Sequence, residues 1–273
     1  MNIKKIMGEV TELAEEAAEA TLEIYRENFD VEYKKDERNS PLTEADKASH
    51  EIIVAGLADI TPDIPVISEE SSSNMDYATR KNFDKFWLVD PLDGTREFVK
   101  KNDEFTVNIG LIENRRPRAG VVVVPTTDVV YKTDGRNALK IKNNIEEEMT
   151  VSDVRKLEEA IATRSRSHSG EQVKKLFERV DFKDTLPCGS SLKFCRVAEG
   201  SADVYCRFNP TWEWDTAAAH AVVKIAGGKI TQPDGTALKY NKKSLKNENG
   251  FLVSNNLLHD TILQKIQSIT GKQ

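Results

Sequence analysis

The sequence predicts a mixed protein, an α+β part followed by an α/β part, and three observations predict it. Apolar residues at helical spacing occupy much of the chain up to about residue 60. From about 65 to 132, short apolar runs follow one another with only turns between, the pattern of an antiparallel sheet. Beyond about 150, strand-like and helix-like segments alternate, the pattern of an α/β layer. A chain of 273 residues is long enough for one large domain or two moderate ones. The change of pattern divides it into residues 1–148 and a smaller part, 149–273. The acidic run Glu146-Glu147-Glu148 reads as a surface joint between them.

The elements follow in order. Residues 3 to 28 form a helix, because Ile6, Val10, Leu13, Ala17, Ala20 and Ile24 recur at three- and four-residue steps. A second helix runs from about 43 to 59, with Ile52, Ile53 and Leu57 on its apolar stripe. Pro62 and Pro65 break the chain before a short strand, Pro65-Val66-Ile67, that ends at Ser68-Glu69-Glu70. Residues 71 to 84 are polar and loop-like, with room for one short helix. Phe86-Trp87-Leu88-Val89 is a buried strand that stops at Asp90-Pro91, where proline removes a ladder donor. Strands over 105–112, 119–124 and 129–132 come next. In the second part, strands near 160–162, 182–186, 203–206, 229–231 and 251–253 alternate with helices near 170–179, 192–198 and 216–226. A last helix closes the chain.

Composition narrows the function. Hydrophobic residues make up 38% and charged residues 31%, values of an ordinary soluble globular protein. The net charge of -6 argues against a nucleic-acid polymer as partner, which would demand a basic face. A small phosphorylated ligand remains open, since a few local cations can reverse the field in one pocket. No run approaches the roughly 20 apolar residues of a membrane span, and residues 1 to 9 lack an apolar signal core. Cys188, Cys195 and Cys206 lack zinc or disulfide spacing and read as reduced thiols filling a core, which fits the cytoplasm.

The chemistry concentrates in acids at the ends of apolar elements. Glu69 and Glu70 follow one strand, Asp90 ends another, Asp93 sits in the turn after it, and Asp215 follows Trp212-Glu213-Trp214. Singly, each has a plainer reading: a solvated loop, an Asp-Gly turn or a helix cap. Together they matter more. Asp90-Pro91-Leu92-Asp93-Gly94-Thr95 puts two carboxylates and a hydroxyl on one tight turn, and a helix starting at Thr95 could present backbone N–H groups to a phosphate. Converging carboxylates repel unless cations lie between them. Oxygen-only donors suit Mg2+, and the lack of a His/Cys pattern argues against zinc.

These residues carry a resemblance. Ser68-Glu69-Glu70, the string from Asp90 to Thr95, and Trp214-Asp215-Thr216-Ala217-Ala218 resemble the marks of the inositol monophosphatase superfamily, over nearly the whole chain. Gly189-Ser190-Ser191-Leu192-Lys193-Phe194-Cys195, Val197-Ala198-Glu199-Gly200 and Asp203-Val204-Tyr205-Cys206-Arg207-Phe208 are most similar to the CysQ-type 3′(2′),5′-bisphosphate nucleotidases.

The resemblance implies a layered αβαβα sandwich whose first part carries most of the metal site. It implies two or three Mg2+ ions held by Glu69, Asp90, Asp93, Asp215 and the carbonyl of Leu92. Asp46 and Thr95 match the pair that activates the attacking water. Asp46 also suits a helix start, as the fourth residue of Thr43-x-x-Asp46. Glu69, Leu92, Asp93, Gly94, Thr95, Ser190, Lys193, Arg207 and Asp215 would touch substrate, Lys193 and Arg207 gripping the phosphate that is not cleaved. His168 is a further candidate contact. The implied reaction is water attack on adenosine 3′(2′),5′-bisphosphate, giving AMP and phosphate, with 3′-phosphoadenylyl sulfate as another substrate. Lithium sensitivity, a role in sulfur assimilation, and a place in the cytoplasm, free or peripheral at the inner membrane, come with it. Two rivals stand beside this reading: an inositol monophosphate phosphatase with the same metal chemistry, and a non-catalytic, metal-stabilised regulatory or binding protein. The oligomeric state is not legible in the sequence.

Overall fold

The computed structural model describes residues 2–27, 29–33, 41–166 and 170–270. Its elements run α1 (Ile3–Arg26), β1 (Val31–Tyr33), β2 (Pro41–Thr43), α2 (Glu44–Ile60), β3 (Val66–Ser68), a 3-10 turn (Glu69–Asn74), α3 (Tyr77–Arg80), β4 (Lys85–Asp93) and α4 (Thr95–Val99). There follow β5 (Thr106–Glu113), β6 (Arg116–Val124), β7 (Val129–Thr133), β8 (Ala138–Lys142), β9 (Ile145–Glu148), β10 (Ile161–Ser165), α5 (Glu171–Arg179), β11 (Asp184–Cys188) and α6 (Leu192–Ala198). The chain ends with β12 (Val204–Arg207), β13 (Thr211–Trp212), α7 (Trp214–Ile225), β14 (Lys229–Thr231), β15 (Lys246–Asn247), β16 (Phe251–Ser254) and α8 (His259–Thr270).

Two sheets organise these elements. Strands β3 to β9 lie side by side in sequence order, all antiparallel except the β3–β4 pair. The second sheet has the order β11-β10-β12-β16-β14, parallel among its first three strands and antiparallel after. Alternation along β4 shows how the layers form. Trp87 and Val89 join Val10, Leu13, Ala14, Ile53 and Leu57 of α1 and α2 in one core. Phe86 and Leu88 face the other way, into a core with Phe194, Val197, Ala217 and Val222 of α6 and α7. The second sheet covers the far side of α6 and α7, and its outer face packs on α5 and α8 through Leu176, Val204, Leu252 and Ile262. The order is helix, sheet, helix, sheet, helix: the αβαβα sandwich.

Helix α7 is held unusually close to the large sheet. Gly110 on β5 pairs with Gly120 on β6. A Cβ on Gly110 would lie 2.7 Å from the Ala218 nitrogen, and one on Gly120 would lie 2.7 Å from the Ala218 Cα. Two glycines facing small residues of Thr216-Ala217-Ala218-Ala219 therefore set the depth of the helix whose first turn carries Asp215.

Three expectations need correction. Strand β4 does not stop at Asp90; it continues to Asp93 with a register shift between Asp90 and Asp93. Proline is tolerated there because β3 pairs only as far as Val89, so Pro91 needs no donor on that side. The run Glu146-Glu147-Glu148 is regular structure. It belongs to β9, the exposed edge of the large sheet, paired with β8, and neither strand was expected. Helix α7 begins at Trp214, two residues early, which puts Asp215 inside its first turn. The three cysteines are free and buried, as core filler would be.

Candidate active site

Three elements deliver the acids. Glu69 opens the 3-10 turn where β3 ends, Asp90 and Asp93 lie on β4, and Asp215 sits in the first turn of α7. Carboxylate oxygens of Glu69, Asp90 and Asp215 lie within 4.8 Å of one another. Asp90 is buried and its Oδ1 accepts the Leu92 N–H at 3.2 Å, which shapes the turn. Asp215 Oδ2 accepts the Trp212 N–H at 3.0 Å. Residues about 150 positions apart are thus brought to one point by β-pairing on one side and by the glycine-seated α7 on the other.

Asp93 faces the same region. Burial, then the nearby Asp215 charge, push its carboxyl up to about 7, while Lys193 and the Ser191 N–H partly offset them. That N–H donates to Asp93 Oδ2 at 2.5 Å. Three or four acids this close, with oxygen-only donors, fit a hard divalent cation such as Mg2+: the repulsion a cation would relieve is already visible at Asp93.

Asp46 does two things at once. Its Oδ2 accepts the Thr43 N–H and hydroxyl, both at 2.7 Å, and so fastens the start of α2. Its Oδ1 faces the Thr95 hydroxyl at 3.4 Å, and that hydroxyl lies 3.3 Å from the Leu92 carbonyl. Gly94, between them, has φ +94°, and a side chain there would meet the Glu104 carbonyl and Ser190. Glycine is required by both conformation and space.

The 189–193 segment closes over this turn. Ser191 Oγ donates to Asn108 Oδ1 at 2.8 Å and lies 2.9 Å from the Thr106 hydroxyl, while Ser190 lies 3.3 Å from that hydroxyl. Lys193 is not on a solvated face. It is 3% exposed, and its ammonium donates to the carbonyls of Ser190 at 2.6 Å and Cys188 at 3.2 Å. Arg207, half-buried at the end of β12, donates to the Pro210 carbonyl at 3.3 Å. It borders a small recess shared with Ser165, Tyr205 and Phe208. His168 lies outside the described residues.

Asn108, Ser191 and Glu104 were not expected at the site. Asn108 carried a usable signal: it is the one strongly polar residue within the run Val107-Asn108-Ile109. Glu104 accepts from Arg166 Nε at 3.0 Å and from one terminal guanidinium nitrogen at 2.7 Å, which ties the 104 loop to the end of β10.

A family model described as the inositol monophosphatase family matches residues 4–270. The chain belongs to the inositol monophosphatase family. It is 41% identical over 251 residues to the 3′(2′),5′-bisphosphate nucleotidase CysQ of Escherichia coli K12, covering 91% of this chain and 99% of that protein. The corresponding Salmonella typhimurium CysQ is 40% identical over 249 residues, with the same coverage. Among solved structures, CysQ from Bacteroides thetaiotaomicron superposes with a TM-score of 0.78 at 39% identity, covering 92% of this chain and 97% of that one. The Thermotoga maritima inositol monophosphatase, at 24% identity and a TM-score of 0.79 over 96% of both chains, shares the fold. No described helix is long and apolar enough to cross a membrane.

Proposed function

We propose that this protein is a Mg2+-dependent phosphatase that hydrolyses adenosine 3′(2′),5′-bisphosphate to AMP and phosphate, and that also accepts 3′-phosphoadenylyl sulfate. The observation that carries the reading is the convergence of Glu69, Asp90 and Asp215 beside Asp93, whose carboxyl burial and the Asp215 charge push up. The nucleotidase name of relatives at about 40% identity supports the substrate.

Glu69, Asp90, Asp93, Asp215 and the Leu92 carbonyl would hold two or three Mg2+ ions. Bound there, Mg2+ would polarise a phosphoryl oxygen and lower the pKa of a water. The Thr95 hydroxyl, set between Asp46 Oδ1 and the Leu92 carbonyl, orients the attacking water, and Asp46 takes up its proton. Gly94 keeps the turn open to a phosphoryl group. Arg207 holds the second phosphate from the rim of its recess, and its planar fork suits two phosphate oxygens. Lys193 acts from behind: locked on the Ser190 carbonyl, it shapes the loop and adds positive charge near Asp93.

The test is phosphate release from adenosine 3′,5′-bisphosphate, its 2′,5′ isomer, 3′-phosphoadenylyl sulfate, inositol 1-phosphate and fructose 1,6-bisphosphate. The bisphosphate nucleotides should lead, with Mg2+ required. In Arg207→Ala, kcat/KM for the bisphosphate should fall about tenfold to a hundredfold, the worth of a charge-assisted bond, with little change on a monophosphate. Inositol 1-phosphate as the best substrate would replace this reading by the inositol phosphatase, and no turnover of any member would leave a binding protein.

A further inference from the structure

Away from the carboxylates, a groove of about 590 Å³ opens between the β5–β6 turn and the 232–242 segment. Arg115, Arg116, Lys239 and Lys242 line it together with Ala237 and Leu238, and no carboxylate shares the lining. That is a dense positive patch on a chain of net charge -6. Lys242 is committed, with its ammonium 2.6 Å from the fully buried Glu213. Arg115, Arg116 and Lys239 have no ion-pair partner among the described residues.

The turn itself is built at a cost. Asn114 and Arg115 both take left-handed backbone, with φ +52° and +61°. A two-residue hairpin turn of this type favours glycine at the second position. Arginine stands there instead, its Nε donating to the Tyr240 carbonyl at 3.1 Å, which fixes the base of the guanidinium beside the groove. Uncompensated cations placed side by side repel, and an anion removes that repulsion. The volume lies in the range of small-molecule sites, roughly 300–1,000 Å³. Ala237 and Leu238 beside the cations suit a ligand with an organic ring as well as an anionic group. A nucleic-acid polymer fits less well, because its flanking phosphates would meet the remaining net-negative surface.

We propose that this groove is a second anion site, separate from the carboxylate cluster, for a phosphorylated organic molecule of mononucleotide size. Arg115, Arg116 and Lys239 hold the phosphate, and the organic part lies against Ala237 and Leu238. The site stands whichever phosphomonoester the carboxylates act on.

Calorimetric titration of the full chain with 5′-AMP, in EDTA at low salt, tests it. Wild type should bind AMP, and inorganic phosphate and adenosine should each bind at least tenfold more weakly. The Arg116→Ala/Lys239→Ala double variant, which changes only exposed side chains, should lose at least tenfold in AMP affinity with unchanged melting temperature and turnover. Arg207→Ala, which removes the phosphate contact at the carboxylate site, should keep the AMP binding that the double variant loses. No AMP binding at millimolar concentration would overturn the proposal. So would a loss in Arg207→Ala without one in the double variant, or binding of single-stranded polynucleotide but not AMP.

Discussion

Asp46 shows how one side chain can satisfy two readings that looked exclusive. The spacing from Thr43 suggested a helix cap, and the family pattern suggested water activation. One oxygen serves Thr43 and the other faces Thr95. Substitution separates the roles. Thr43→Ala removes a capping partner and should cost about 1 kcal/mol of stability with little change in kcat at a temperature where the protein stays folded. Thr95→Ala should leave the melting temperature near wild type and lower kcat about a hundredfold or more, the usual weight of a positioned proton-transfer group. Asp46→Asn should do both. Paired melting curves and kcat values check this, and wild-type kcat in Thr95→Ala would remove Thr95 from water activation. The acids were legible because each ends an apolar run. Lys193 was harder: its type suggested a solvated or ligand-holding cation, and only the folded loop reveals the carbonyls that bind it.

At the scale of elements, the legible features were those with internal periodicity, such as the apolar stripe of α1. Edge strand β9 was not among them. All four of its residues are exposed, so no face selects apolar residues and the alternation that marks a strand is missing. The seat of α7 was hidden for a different reason. Nothing in the local sequence of Gly110 or Gly120 announces that a helix backbone passes within van der Waals distance. Gly110→Ala should therefore act at a distance. Its methyl would press on backbone at 2.7 Å, so α7 must move or strain, costing about 1–3 kcal/mol. Because Asp215 rides on that helix, the Mg2+ concentration for half-maximal activity should rise as well. Gly8→Ala on α1 is the control: nothing lies within 4 Å, and helix propensity alone should add up to about 1 kcal/mol of stability. Unchanged stability and Mg2+ dependence in Gly110→Ala would mean that the glycine pair does not set the helix position.

For the whole molecule, the burial that makes the layers also makes stability depend on pH. His220 of α7 is enclosed between the sheets, its Nδ1 2.8 Å from the Tyr240 hydroxyl, and burial holds its pKa down to about 3. His259, bonded to Ser254 and Thr231, is held to about 4, again chiefly by burial. In the unfolded chain both rings titrate near 6.5. Above that pH neither state is protonated, and the stability from the neutral rings is fully present. As pH falls below 6.5 the unfolded chain takes up protons that the native rings refuse, so stability is lost progressively until the folded values are reached. Each ring contributes a slope of about 1.4 kcal/mol per pH unit in that window. Asp93 works in the opposite sense, because a carboxyl raised to about 7 is protonated in the fold before it is in the unfolded chain. The wild-type profile therefore mixes signs, and a difference measurement is needed. His220→Gln keeps a hydrogen-bonding side chain of similar size without a titrating ring. Its deficit relative to wild type should be largest near pH 7.5 and shrink by about 2 kcal/mol by pH 5, as the wild type alone pays the His220 term. Urea unfolding of both proteins across that range measures it, with Asp93 and His259 common to both. A deficit that stays constant from pH 7.5 to 5 would show that His220 titrates alike in the folded and unfolded chain.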